Sequence, residues 1–408
     1  MQQVKRSRYL FFSIDDSPFL DLAAFLRGSV ETATVRRILA LSLLTADRYV
    51  VTEPELLLVA RLPADTWTPV EQAVLETPLD VASVEKLARK GLLVSDSEIE
   101  PLRGLRRREE RLEAREWHPY AAFYHFMTRW QESETEAGRS DFALLADAAF
   151  ENASRFIARH GPPPVAFHRT GTDGRQCIAL PFEESQGALY DVLRQRKTVR
   201  SFQQDRTMRL RDLATLLRYV FGCHGTCSLT PETTLLHKTS PSGGSLHPIE
   251  AYPLVLRVDG LDSGLYHYDG EHHTLEPMAR LNLEEVQELA IETCRGQTYA
   301  GSAHALVILS ARWFRNFWKY RYRSRTYGVV LMDAGHLSQT FYLVAAELGL
   351  GAFYTAAIDA PRIEERLGLE AVEESAIGVC GCGIPADDGS TLGLDFVRFE
   401  PRRDDPDA

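Results

Sequence analysis

WKYRYRSRTYGVVLMDAGH, residues 318–336, joins a basic, aromatic block to the start of a long apolar helix. Val330, Ala334, Leu337, Phe341, Val344, Ala345 and Leu348 recur every three or four residues, which predicts a helix from about Tyr327 to Leu348. Because it is apolar almost all round, that helix belongs in a centre or at an interface. The block in front of it, FRNFWKYRYRSR (314–325), holds Arg315, Lys319, Arg321, Arg323 and Arg325 among five aromatic residues and contains no acid. A lysine beside a tyrosine can do proton chemistry if burial or neighbouring charge shifts either pKa. The plainer alternative is a basic, aromatic solvent edge. Cations interleaved with aromatics also suit single-stranded nucleic acid, but the chain carries a formal net charge of −11, which argues against nucleic acid as a general partner.

Upstream of this stretch, SPSGGSLHP (240–248) is a second unusual segment. Gly243 and Gly244 let backbone N–H groups approach a planar or anionic ligand, and Ser240, Ser242 and Ser245 supply hydrogen bonds. A surface turn uses similar residues, and the segment matches neither a phosphate-loop nor a dinucleotide fingerprint. Further back, RKTVRSF (196–202) places Arg196, Lys197, Arg200 and the Thr198 hydroxyl at the end of a helix. That set can grip a phosphate through charge-assisted hydrogen bonds. Basic residues near a helix C-terminus also occur for dipole reasons alone.

Between and around these motifs the pattern is regular. Helices are expected at 186–197, 210–221 and 282–294, strands at 251–258, 305–311, 351–358 and 374–383, and a hairpin around Gly270. Together they form an α+β domain over 186–390, followed by a tail at 391–408. Residues 101–185 read as a connector: an Arg/Glu-rich helix at 103–116, helical spacing in WHPYAAFYHFMTRW and in DFALLADAAFENASRFIARH, then a Pro/Gly-rich break at 161–176. In residues 1–100, β-rich segments are expected at 9–14, 49–51 and 56–62. Thr68-Pro-Val-Glu reads as a capped helix start, and a second helix over Val81–Lys90 stops at Gly91 before an apolar strand. Helix, turn, helix, Gly, strand is the order of a winged helix; any small α+β domain is the alternative.

Hydrophobic content of 44% and charged content of 25% fit a globular protein. The N-terminal apolar run is too short for a signal sequence, and no run is long enough for a membrane span. The six cysteines have no disulfide-framework spacing, so a reducing cytoplasm is the expected compartment. Cys223, His224 and Cys227 with Cys380 and Cys382 lack usual zinc-knuckle spacing, and small buried thiols are the expected reading, with no metal. Asp333 and His336 share a helix face at i, i+3, where a satisfied hydrogen bond is expected rather than a catalytic dyad.

Taken in order, Arg-Lys-Thr-x-Arg-Ser-Phe, Ser-Pro-Ser-Gly-Gly-x-Leu-His-Pro, GLYHYDG (264–270), Trp-Lys-Tyr (318–320) and LMDAGH (331–336) resemble the SagB-type dehydrogenases of the nitroreductase superfamily. With its extra N-terminal half, the chain is similar to the peptide maturation dehydrogenase branch. The resemblance implies FMN at the interface of an intertwined homodimer, an α+β sandwich around a mostly antiparallel sheet, and the 327–348 helix at the dimer centre. It places Arg196, Lys197, Thr198 and Arg200 on the phosphate and ribityl grip. Ser240, Pro241, Ser242, Gly243 and Gly244 fall along the isoalloxazine ring, and Ala356 and Ala357 near its reactive edge. Lys319 and Tyr320 match the family's Lys-Tyr pair, and Arg323 an arginine after it, with Arg321 and Arg323 expected toward substrate. The implied reaction removes a proton from Cα of a thiazoline or oxazoline in a ribosomal precursor peptide and passes hydride from Cβ to flavin. A cyclodehydratase or other maturation enzyme is an implied partner, and the N-terminal module an implied leader-peptide or partner site. Arg321-Tyr322 and Arg325-Thr326 depart from the family's commoner residues, which bears on substrate identity more than on flavin binding. Two other readings stay open: an NAD(P)H-dependent reductase of dehydroamino acids, nitro groups or quinones, and a non-catalytic scaffold of a peptide-modifying complex.

Overall fold

A computed structural model of the chain describes residues 1–20, 32–75, 77–129, 157–158, 161–162, 178, 180–181, 185–231 and 233–386. The expected helix at 141–160, the turn-rich break after 162, Cys177 and the tail lie wholly or almost wholly outside them. The protein is α+β, and its backbone contacts divide it into two units. One comprises Met1–Arg129 with Trp313–Val329 and Glu370–Glu373; the other comprises Trp130–Arg312, Val330–Leu369 and Glu374–Ala408.

In the first unit a three-stranded antiparallel sheet runs in the order Thr68–Pro69, Gln3–Arg6, Leu93–Ser95. Helices Glu53–Arg61, Val70–Val74 and Val81–Arg89 accompany it, and Val4, Leu58, Val84, Leu87 and Leu93 form the shared core. A second sheet pairs Leu10–Leu20 with Thr32–Ser42 and the latter with Asp47–Val51. Two expectations are corrected here. Leu56–Leu62, expected as a strand, lies almost wholly in the Glu53–Arg61 helix. The apolar run is too continuous for its period to discriminate, and the deciding signal precedes it. Thr52 Oγ1 accepts from Glu55 N (3.4 Å), Glu55 Oε2 accepts from Thr52 N (2.7 Å), and Pro54 opens the first turn. Thr68, expected as a helix cap, is instead drawn into the sheet opposite Val4, and the helix begins at Val70 without a side-chain cap.

The remaining stretch of this unit answers for much of the 314–325 block. Trp313 stacks on Tyr327 with centroids 4.8 Å apart and planes at 14°, and both Trp313 and Phe317 pack on the ring of buried Trp117. The Trp117 Nε1–H donates to Val372 O at 2.9 Å. These rings are therefore core residues that tie segment 313–329 to the N-terminal half.

The second unit is built on a six-stranded sheet in the order 274–280, 264–269, 249–255, 305–312, 374–383, 351–355, with every neighbouring pair antiparallel. Leu254, Leu306, Ile308, Phe353 and Val379 supply its core, together with Val286 and Ala290 of the Leu283–Thr293 helix. Strand Glu374–Gly383 carries glycines where a neighbouring ring lies flat: a Cβ on Gly381 would stand 2.2 Å from the ring of Phe353, its cross-strand partner.

One end of this sheet carries a charged cluster. Glu250 accepts from Arg312 Nη1 at 2.9 Å and lies 3.5 Å from His267 Nε2, while Tyr252 Oη donates to Glu374 Oε1 at 2.9 Å. Burial alone would raise Glu250, but hydrogen bonds from His267 and Arg312 hold it below its ordinary value. The hydrogen bond to Glu250 raises His267, against the opposing effect of burial. A histidine raised on folding contributes stability that is complete below its unfolded value of about 6.5 and lost as pH rises through the folded value. His267→Gln should therefore flatten the fall in melting temperature above about pH 6.5. Thermal melts of both proteins across that range check it; an unchanged slope would refute the coupling.

Candidate functional site

Helix Arg325–Glu347 holds two of the sequence motifs in place. It turns Val330, Ala334, Leu337, Phe341 and Ala345 inward, and its polar residues serve the segments beside it. Ser242 Oγ–H donates to Asp333 Oδ2 at 2.5 Å and Gly243 N–H donates to Asp333 Oδ1 at 3.3 Å. His336 Nδ1–H donates to Pro241 O at 3.2 Å. Thr340 spends its proton on His336 O (3.0 Å), so the 2.6 Å contact with Ser240 has Ser240 Oγ as donor. Within the loop, His247 N–H donates to Ser242 Oγ at 3.0 Å, and Gly244 has a φ of 71° that favours glycine. Asp333 and His336 thus act side by side on loop 240–244. Asp333 is 3% exposed, and burial pushes its carboxyl above the ordinary range despite the donors from Ser242 and Gly243.

The same helix reaches the basic motif. Tyr342 Oη lies 3.2 Å from Thr198 Oγ1, accepts from Tyr354 N at 2.9 Å, and its ring lies under the Arg196 guanidinium with 5.5 Å to the centroid. Segment 196–202 runs along the edge of the sheet. Val199 N–H donates to Ala352 O at 2.8 Å, and Val199 is buried where a Cβ on Gly351 would meet it at 2.6 Å. Arg200 stands over Tyr299 at 5.4 Å. Burial raises the Tyr299 hydroxyl, which hydrogen bonds with Arg200 and Thr355 offset in part. Lys197 is exposed. Ala356 and Ala357 follow directly, with Ala357 N–H donating to Thr355 Oγ1 at 3.1 Å. Loop 240–244 and segment 196–200 are therefore both held from one helix, and Arg200 is linked through Tyr299 to the turn that precedes Ala356. Tyr342, Tyr299, Thr340 and Tyr354 were not legible as site residues. The available signal was that Thr340 and Tyr342 are among the polar residues of a helix whose three-to-four-residue recurrence is apolar.

Lys319 and Tyr320 lie in the other unit, on the turn after Phe317. The N–H groups of Lys319 and Tyr320 both donate to Asn316 O, at 3.2 and 3.0 Å, and Lys319 Nζ stands 5.5 Å from the Tyr320 ring centroid. Arg321 Nη1 pairs with Glu116 Oε1 at 3.3 Å, and Arg323 is exposed. The cysteines of the weighed zinc set are placed differently from one another. Cys380 and Cys382 are fully buried in strand 374–383, where burial pushes the Cys382 thiol up to about 12, and Cys223 Sγ–H donates to Gly225 O. Among the described residues no group of three or more His, Cys, Asp or Glu is arranged to hold a metal, and no helix is long and apolar enough to cross a membrane.

The sequence profile described as Nitroreductase family matches residues 193–384. The chain is 33% identical over 183 residues to MJ1384 of Methanocaldococcus jannaschii, a candidate nitroreductase, covering 45% of this chain and 85% of that one. It is 32% identical over 166 residues to the trifolitoxin-processing protein TfxB of Rhizobium leguminosarum bv. trifolii, covering 40% of this chain and 43% of TfxB. To the microcin B17-processing protein McbC of Escherichia coli it is 31% identical over 126 residues, covering 30% of this chain and 44% of McbC. The match thus spans less than half the length of either processing protein.

Tyr342→Phe tests the helix-to-edge link. It deletes the hydroxyl that Tyr354 N–H and Thr198 share, and should lower unfolding free energy by about 1–2 kcal/mol. Urea denaturation reads this; an unchanged midpoint would show that neither contact matters to the fold.

Proposed function

The chain belongs to the nitroreductase family, and on that premise we propose that it is an FMN-dependent oxidoreductase that dehydrogenates azolines in a ribosomally made peptide. The observation that carries the reading is its identity of 32% and 31% to two proteins named for processing trifolitoxin and microcin B17. The donor chemistry of the second unit supports the cofactor. Arg196, Thr198 and Arg200, with Lys197, suit a phosphate monoester. Loop 240–244 is held from behind by Asp333, His336 and Thr340, so its backbone is fixed before a planar ring arrives. FMN, when bound, supplies a two-electron acceptor that dioxygen can regenerate.

The chain's own residues supply the proton chemistry. Lys319 and Tyr320 take the proton from Cα of a thiazoline or oxazoline, while the hydride departs from Cβ and the ring becomes aromatic. The turn fixed by the two N–H bonds to Asn316 O orients both side chains. The homodimer of this reading buries the outer side of helix Arg325–Glu347, where Leu331 and Met332 are exposed. Helix Ala188–Gln195 is likewise amphipathic with no buried residue, and Leu189 and Leu193 are exposed on it. Residues 1–100 of the N-terminal unit, where helices Glu53–Arg61, Val70–Val74 and Val81–Arg89 accompany a three-stranded sheet, are read as a winged-helix-like module for a leader peptide or a cyclodehydratase-type partner.

A second reading, reduction of nitro groups, quinones or dehydroamino acids by NAD(P)H, is favoured by the match to MJ1384 over 85% of its length. The two are separated by supplying purified protein with FMN, recording its visible spectrum, and adding an azoline peptide or NADPH without oxygen. Dehydrogenation predicts bleaching by the peptide and a product lighter by two hydrogens; reduction predicts bleaching by NADPH alone. Lys319→Ala should keep the flavin spectrum and lose roughly 10²–10⁴-fold in turnover. A protein that takes up no flavin would sink both readings.

A further inference from the structure

Residues 318–324, with Arg325 at the start of the helix that follows, form an exposed loop between buried Phe317 and buried Thr326. Trp313, Phe317 and Tyr327 fasten it to Trp117, and Thr326 Oγ1–H donates to Tyr320 O at 3.3 Å. Within the loop, Arg323 N–H donates to Tyr320 O at 3.3 Å and Arg321 Nε–H to Trp318 O at 3.1 Å. Apart from Tyr320, every residue from 318 to 325 is exposed. Trp318 is 45% and Tyr322 69% exposed, although large aromatics ordinarily contribute to cores. Tyr322 also has a φ of 53°, a left-handed conformation uncommon for a bulky residue. Strain of this kind at an outward-facing ring points to function rather than packing.

The charges of the loop complete the pattern. Arg321 is engaged by Glu116. Among the described residues, no carboxylate lies within the 4.0 Å ion-pair limit of Lys319, Arg323 or Arg325. Among the described residues the loop thus displays two arginines, Arg323 and Arg325, without a carboxylate partner, and two open rings, on a chain of net charge −11. Fastening lowers the entropy that binding must spend on ordering the loop. We propose that this loop is a docking surface for an acidic segment of the precursor peptide, one carrying aromatic or aliphatic side chains between its carboxylates. The inference rests on the peptide-processing reading above and deepens it, since the segment would be delivered beside Lys319 and Tyr320. Carboxylates meet Arg323 and Arg325, and the apolar side chains meet Trp318 and Tyr322. Nucleic acid is disfavoured because two arginines make no continuous phosphate track and the chain as a whole is acidic.

Fluorescence anisotropy tests the surface without any turnover. The probes are a labelled peptide of alternating acidic and Leu/Phe residues, its Asn/Gln counterpart, and a single-stranded oligonucleotide. The acidic peptide should bind roughly tenfold tighter than the amide one, the size expected of two or three partly exposed ion pairs, and the advantage should shrink as salt is raised. Arg323→Glu with Arg325→Glu should abolish that advantage, and Tyr322→Ala should weaken both peptides alike. Circular dichroism and thermal melting confirm that these variants fold. Equal binding of the two peptides, or an unaffected double variant, would overturn the proposal. So would an oligonucleotide that binds as tightly and is lost in the same variant, or a change of oligomeric mass that assigns the surface to a second copy. If the acidic preference holds while azoline peptides are not oxidised, the docking surface stands and the assigned reaction falls.

Discussion

The carboxylate of Asp333 is the constraint on which the second unit's site depends. It sits on a helix whose apolar side is sealed against the core, and it answers two donors of loop 240–244 at once, the Ser242 hydroxyl and the Gly243 amide. Burial disfavours its ionised form, so those donors stabilise a group the surroundings would otherwise keep neutral. The result is a glycine-containing loop with few conformations left to it, although glycine brings the largest backbone freedom of any residue. About two and a half turns of helix separate Asp333 from Tyr342, which fixes the basic segment 196–200 from the same rod. A single rigid element sets the spacing of two segments more than thirty residues apart in the chain.

Much of this was legible because the physical signals were local. The 3.6-residue recurrence of Val330, Ala334, Leu337 and Phe341 located the long helix, found at Arg325–Glu347, and its polar interruptions are where the loops are held. Asn282, with Glu285 three residues on, marks the capped start of Leu283–Thr293, found where helix 282–294 was expected. The two misreadings of the N-terminal half both turn on a threonine and its cap. At Thr52 and at Thr68 the sequence offers the same letters, a threonine, a proline and a glutamate three residues later. Only the pairing of Thr68 with Val4, more than sixty residues away, decides that one caps a helix and the other closes a sheet. Tertiary pairing overrides a local cap, and no window along the chain contains it.

Site residues followed the same division. Glycines, serines and clustered arginines announce themselves by composition. Tyr342, Tyr299 and Thr340 do not, since a tyrosine in an apolar helix reads equally well as core. Their roles come from what lies opposite: the Thr198 hydroxyl, the Arg200 guanidinium and the Ser240 hydroxyl.

The block at 314–325 shows why charge counting alone misleads. Its aromatic residues divide between core and surface, with the core contacts concentrated at its edges. Phe317, with Trp313 just before the block, is spent on Trp117, and Tyr327 closes the stack from the far side. The core of the N-terminal unit is completed by residues more than 180 positions downstream of Trp117, and Val372 O satisfies the Trp117 indole. Deleting residues 1–129 would strand Trp313, Phe317 and Tyr327 in water and loosen the turn whose N–H groups rest on Asn316 O. The Lys319–Tyr320 pair is thus held by the N-terminal unit, while the basic segment 196–200 and the glycine loop are held by the C-terminal one.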